Sequence, residues 1–148
     1  VETIALMSHA FFNGFNTFET NYINAKYMSW SSAIEALSSI AITNVKKCCG
    51  TGSSNYTDIL KYATSDNELL KKEIQIIEPD IVLCCGTFDF VRSIFNTTGI
   101  KCGSGARYFN IENRLFVDLP HPRSRINKAV LYAYFKETML ILKDDKKW

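Results

Sequence analysis

His121 stands between two prolines in Leu119-Pro120-His121-Pro122-Arg123-Ser124-Arg125. Proline fixes φ near roughly −65° and biases the residue before it away from helix, so Pro120 and Pro122 stiffen the loop on both sides of the imidazole. An imidazole held in this way can aim a hydrogen bond at a ligand oxygen. Arg123 and Arg125 suit phosphate oxygens, which guanidinium groups grip in a fork. Two further groups belong to the same chemistry. Asn44, followed by Lys46 and Lys47, offers an amide that can pair with a donor and an acceptor at once. Gly86 and Thr87 close an apolar run and open a helix, where exposed backbone N–H groups favour phosphate. The plainer reading of the His121 stretch is a strand-to-helix connection with a surface histidine and solvated arginines.

These groups act together only if the fold brings them to one edge. The spacing predicts strands over Ile40–Asn44, Ile81–Cys85 and Leu115–Leu119. Strands alternating with helices point to an α/β sandwich with a mainly parallel sheet, whose ligands bind beyond the carboxyl ends of the strands. Parallel strands there would gather Asn44, Gly86 and His121 in one cleft. Helices are expected over Ile4–Phe15, fraying at Asn13-Gly14, then over Trp30–Leu37, Phe88–Phe95 and Ile126–Leu142. Thr57-Asp58 can open a helix, and Ser65 with Glu68 has capping-box spacing for another that Pro79 ends. Asp80–Thr87 lacks polar alternation, as a strand covered on both faces does. Tyr108–Ile111 and Arg114–Leu119 suggest a hairpin around Glu112-Asn113. Phe15 to Tyr27 reads as a loop whose aromatics are more often core plugs than ligand platforms. His9 has no evident partner.

The chain has 148 residues, 47% hydrophobic and 22% charged, which fits one globular domain. Its net charge of +2 admits a nucleic-acid partner without arguing for one. No apolar run approaches the roughly 20 residues of a membrane span. Five cysteines, Cys48, Cys49, Cys84, Cys85 and Cys102, make a poor disulfide framework and contain no Cys-x-x-Cys spacing. The expectation is free thiols in a reducing, cytoplasmic protein, with Cys84 and Cys85 behaving as small buried hydrophobes.

Three segments together resemble the uracil-DNA glycosylase superfamily. They are Ala41-Ile42-Thr43-Asn44-Val45-Lys46-Lys47-Cys48, Ile77-Glu78-Pro79-Asp80-Ile81-Val82-Leu83-Cys84-Cys85-Gly86, and Leu119-Pro120-His121-Pro122-Arg123-Ser124-Arg125. The resemblance implies a single domain, a three-layer α/β/α sandwich with a mainly parallel central sheet. It implies hydrolysis of the N-glycosidic bond of uracil or a related damaged base in DNA. Asn44 would read the edge of a flipped base, with Phe15 or Phe18 stacking on it. His121 would be catalytic, contacting the carbonyl that gains charge as the base leaves. Lys46, Lys47, Gly86, Thr87, Arg123, Ser124 and Arg125 would meet the DNA, the last three on a loop that enters the duplex.

The chain departs from that pattern in places. The family's first motif, a Gly- and Pro-containing loop that positions the attacking water, has no match and is expected before Val1. Arg123 replaces the serine often found after His-Pro. Some relatives carry an iron–sulfur cluster, and Cys48 sits where one ligand would be. Four suitably placed cysteines are not present, so the expectation is no cluster, no metal and no cofactor. The missing first motif favours an alternative, a non-catalytic nucleic-acid or nucleotide-binding member of the same superfamily. An unrelated α/β domain with thiol or metal chemistry is a third reading, which adjacent cysteines on a buried strand count against.

Overall fold

The computed structural model describes residues 2–20, 35–47 and 55–147. They form a mixed α/β fold around a four-stranded sheet. Helix α1 (Glu2–Asn13) comes first, then α2 (Tyr56–Ser65), α3 (Asn67–Ile77), strand β1 (Ile81–Cys85) and α4 (Phe88–Ile94). Strands β2 (Ile100–Lys101), β3 (Arg107–Ile111) and β4 (Arg114–Leu119) follow, and α5 (Lys128–Asp144) closes the order. The sheet order is β1-β4-β3-β2.

The expected parallel pairing of the last two predicted strands is present: β1 runs beside β4 with Ile81 opposite Leu115 and Cys85 opposite Leu119. The sheet as a whole is mixed, because β3–β4 and β2–β3 are antiparallel. A short hairpin forces that arrangement. Glu112 and Asn113 take φ of 50° and 63°, the paired left-handed conformation of a two-residue hairpin turn.

The expected strand over Ile40–Asn44 does not form; residues 41–44 are irregular. Ile42 is 65% exposed, and among the described residues β1 takes no second strand on its outer edge. The segment is held to α3 instead. Thr43 Oγ1 donates to Glu73 Oε2 at 2.8 Å, and the Lys47 ammonium pairs with the same carboxylate. Val45 is buried against Leu70, Ile74 and Cys84. A β-branched run without a ladder partner leaves its backbone to solvent, and here a side-chain clip decides its path. The expected helix over Trp30–Leu37 lies mostly outside the described residues, as do Cys48 and Cys49.

Two helices follow Asn55, as expected, but each starts at a residue other than the one foreseen. Asn55 caps α2, its Oδ1 accepting from Thr57 N–H at 2.9 Å. The Ser65–Glu68 capping box is not made, because Ser65 is the last residue of α2 and Asp66 occupies the cap of α3. Glu78, at φ 49°, ends α3 with its N–H on the Ile74 carbonyl, and Pro79 prevents continuation.

The pleat of β3 and β4 divides the core in two. Phe109 and Phe116 face α2, α3 and α4, together with Leu70, Ile74, Phe88 and Val91. Their rings stack at 4.6 Å and 10°. Tyr108, Leu115, Val117 and Leu119 face the other way, with Met7 of α1 and Leu131, Phe135, Met139 and Leu142 of α5. The α5 residues recur at the spacing of one helical face. Asn127 caps this helix by accepting from Ala129 N–H at 2.8 Å. Thus β1, whose side chains enter both clusters, is covered on both faces although it lies at the sheet's edge. Among the described residues no helix is long and apolar enough to cross a membrane.

Candidate functional site

The carboxyl ends of β1 and β4 meet at Gly86 and His121. Gly86 leaves β1 at φ +73°, and its N–H donates to the Leu119 carbonyl at 2.7 Å. A Cβ on Gly86 would stand 3.2 Å from His121 Cβ. Glycine therefore serves twice here, for its backbone angle and for the close approach of the Pro120–His121 loop.

That loop fixes the imidazole electronically. The Arg123 backbone N–H donates to His121 Nδ1 at 3.0 Å. A backbone amide can only donate, so Nδ1 is the acceptor and the neutral ring carries its proton on Nε2. The Ser124 N–H returns to the His121 carbonyl at 2.8 Å and tightens the turn. His121 is exposed, so its Nε2–H is a prepared donor at the sheet edge. Ser124 Oγ is buried and makes no hydrogen bond among the described residues. Arg123 and Arg125 are exposed and make no ion pair among the described residues.

The remaining expected residues are distributed elsewhere. Thr87 caps the short α4 beside Gly86 without using its side chain. Asn44 is exposed on the segment clipped to Glu73 and makes no hydrogen bond to the His121 loop. Lys46 lies 4.7 Å over the Tyr62 ring, and Lys47 is committed to Glu73. Lys47 also holds the Glu73 carboxyl below the usual range. Phe15 packs edge-on to Phe135 at 5.8 Å, and Phe18 lies 5.8 Å from Tyr132. Both phenylalanines thus serve the packing around α5.

A group that the sequence reading did not single out completes this edge. Arg107, at the start of β3, lies between two carboxylates. Its Nη1 and Nη2 grip Asp89 Oδ1 and Oδ2 at 2.9 and 3.0 Å, and its Nε reaches Asp118 Oδ2 at 2.8 Å. Arg92 adds a bond to Asp89 Oδ1 at 2.9 Å. Arg107, then Arg92, hold the Asp89 carboxyl below its usual range, and the two carboxylates push Arg107 further up. A cavity of about 160 Å³ opens against this cluster, lined by Tyr56, Gly86, Phe88, Phe90 and the Asp89–Arg107–Asp118 chain. A cavity of about 180 Å³ lies at the opposite edge of the sheet, beside Glu112 and Arg114, away from the imidazole.

Cys84, Cys85 and Cys102 are free thiols. Burial pushes the Cys84 thiol up, and burial with the nearby Asp118 charge pushes Cys85 up to about 11. Neither is primed as a nucleophile. Cys102 Sγ lies 3.0 Å from Ser104 Oγ, which also bonds Thr138 Oγ1. Among the described residues, no group of three or more His, Cys, Asp or Glu side chains could hold a metal ion. No family model matches the chain, and no curated protein or solved structure is significantly similar to it.

Proposed function

We propose that the chain is a uracil-DNA glycosylase-like protein, built as a three-layer α/β/α sandwich, that hydrolyses the N-glycosidic bond of uracil or a related damaged base in DNA. The observation that carries the reading is the His121 imidazole, seated on Gly86 with Nδ1 capped by the Arg123 amide. As the base departs, negative charge gathers on its carbonyl oxygen and the sugar becomes cation-like. A fixed neutral Nε2–H aimed at that oxygen stabilises the departing anion without reorganisation. Water then adds its hydroxyl to the sugar carbon, and its proton completes the free base. The base must first leave the duplex, and the Arg123–Arg125 loop is the wedge and phosphate clamp for that step. With Lys46 and Lys47 engaged by Tyr62 and Glu73, these arginines carry the larger share of DNA binding.

The test is single-turnover cleavage of uracil-containing single- and double-stranded oligonucleotides. His121→Ala should lower the rate about 10²–10³-fold while DNA affinity stays close to that of the wild type. Equal cleavage by the variant would remove the histidine from the mechanism. Wild-type protein that binds DNA but leaves every damaged base intact would favour the non-catalytic, nucleic-acid-binding reading.

A further inference from the structure

The second cavity, of about 180 Å³, lies at the other end of β4 from His121, between the β3–β4 hairpin and α3. Its floor is apolar for a reason that the strand itself supplies. Side chains alternate along β4, so Arg114 and Phe116 stand on the same face. Phe116 is 1% exposed, and the ring of Phe95, which caps the end of α4, lies 5.3 Å from it at 55°. Ile74 of α3 and Ile111 of β3 line the cavity beside these two rings.

The rim is cationic. Lys71 reaches it from α3, one turn before Ile74, and Arg114 reaches it from the start of β4. Among the described residues Glu112 is the one carboxylate in the lining, so the rim carries a net positive charge. Neither cation is held fast. Lys71 pairs with Glu68, whose side chain is 82% exposed, and Arg114 Nη1 pairs with Glu112, which is 65% exposed. Ion pairs to such solvated carboxylates are weak, and a better-placed anion displaces them. Arg114 itself is only 18% exposed, yet among the described residues its Nε and Nη2 make no hydrogen bond. A guanidinium presents five N–H donors in a planar fork that matches a carboxylate, and Glu112 takes only one corner of it.

The complement is a molecule with a flat apolar body and a carboxylate at one end. The ring meets Phe95 and Phe116 in the tilted or offset contacts that aromatic groups prefer. The carboxylate meets the Arg114 fork, with the Lys71 ammonium as a second charge. The volume is below the roughly 300–1,000 Å³ of sites for drug-sized ligands and suits a single ring. We propose that this cavity is a binding site for a small aromatic carboxylate, with Arg114 and Lys71 holding the carboxylate and Phe95 and Phe116 holding the ring. It stands apart from the His121 edge and does not depend on the glycosylase reading.

The experiment is an NMR amide titration of the full chain with three probes. Benzoate carries both features, benzamide is its uncharged isostere, and acetate is the anion without a ring. Benzoate should shift the amides of Ile111, Glu112 and Arg114 and bind more than about tenfold better than either of the others. Arg114→Gln should abolish the preference for benzoate over benzamide. Two variants at more exposed side chains carry the test even if Arg114→Gln does not fold. Lys71→Gln should weaken benzoate and leave benzamide unchanged. Glu112→Gln removes the competitor for the guanidinium and should tighten benzoate by about two- to fivefold. Equal binding of benzoate and benzamide would overturn the cationic rim, and benzoate no better than acetate would overturn the aromatic floor. Benzoate shifts that spare the hairpin, or benzoate binding unaltered in both Lys71→Gln and Glu112→Gln, would overturn the site.

Discussion

The amide of Arg123 makes His121 a donor of known polarity, because a backbone N–H on Nδ1 leaves only Nε2 to carry the proton of the neutral ring. Nitrogen-15 NMR should show the Nε2–H tautomer in neutral solution. A spectrum with the proton on Nδ1 would contradict the loop geometry. Gly86 is the second single residue on which the site depends. Gly86→Ala should cost about 1–2 kcal/mol for the left-handed backbone alone, and the new methyl would press on the His121 Cβ. Chemical denaturation measures the first effect. Displacement of the His121 ring signals, with a loss of cleavage beyond the loss of stability, measures the second. Wild-type stability in Gly86→Ala would mean that the turn relaxes around an added Cβ.

Between elements, the chain Asp89–Arg107–Asp118 ties the start of α4 to the starting end of β3 and the finishing end of β4. It gathers two aspartates and an arginine at the edge where His121 lies, and its pH dependence follows from Asp89. Arg107 and Arg92 lower the Asp89 carboxyl in the folded state below its ordinary value of 3.8. A depressed folded value means stabilisation that is present above the ordinary value and is lost as pH falls through the folded one. Asp89 is 43% exposed, so solvent screening limits the effect to about 1 kcal/mol or less. Asp89→Asn should therefore be less stable than wild type near neutrality, with the two stabilities converging below pH 3.8. Denaturant melts across pH measure the gap, and a constant gap would show that the ion pairs contribute nothing that titrates. The segment from Ile40 to Lys47 follows the same principle of attachment. Its clip to Glu73 replaces the backbone ladder that a strand would need.

For the whole molecule, a net charge of +2 is too small for DNA affinity to come from a general field. On the proposed reading, binding rests on a few local cations. Arg123 and Arg125 are exposed on the loop beside the candidate site, whereas Arg92, Arg107 and Lys47 are held by carboxylates. Removing a phosphate contact should lower the dependence of log K on log salt by about 1 per residue. Arg123→Ala and Arg125→Ala should each flatten that slope and weaken binding to all sequences alike. Titrations at several salt concentrations provide the check, and an unchanged slope in both variants would place the DNA elsewhere on the surface.

Much of this architecture follows from short-range rules that contiguous residues carry. The run Ile81–Cys85 closed by Gly86, the hairpin turn at Glu112-Asn113, the apolar face of α5 and the proline-bracketed His121 are each encoded within a few positions. The parallel pairing of β1 with β4 brings Gly86 to His121 at the carboxyl ends, where such sheets gather ligand groups. Tertiary structure decided the rest. The Ile40–Asn44 run has strand composition, but a strand exists only where another strand offers its backbone, and here Thr43 and Lys47 are held by Glu73 instead. Phe15 and Phe18 went to the core because α5 offered them Phe135 and Tyr132. Arg107 meets Asp118 and Asp89 across 11 and 18 positions of sequence. No periodicity links residues so far apart, so the charged wall beside Gly86 exists only once α4, β3 and β4 have closed on one another.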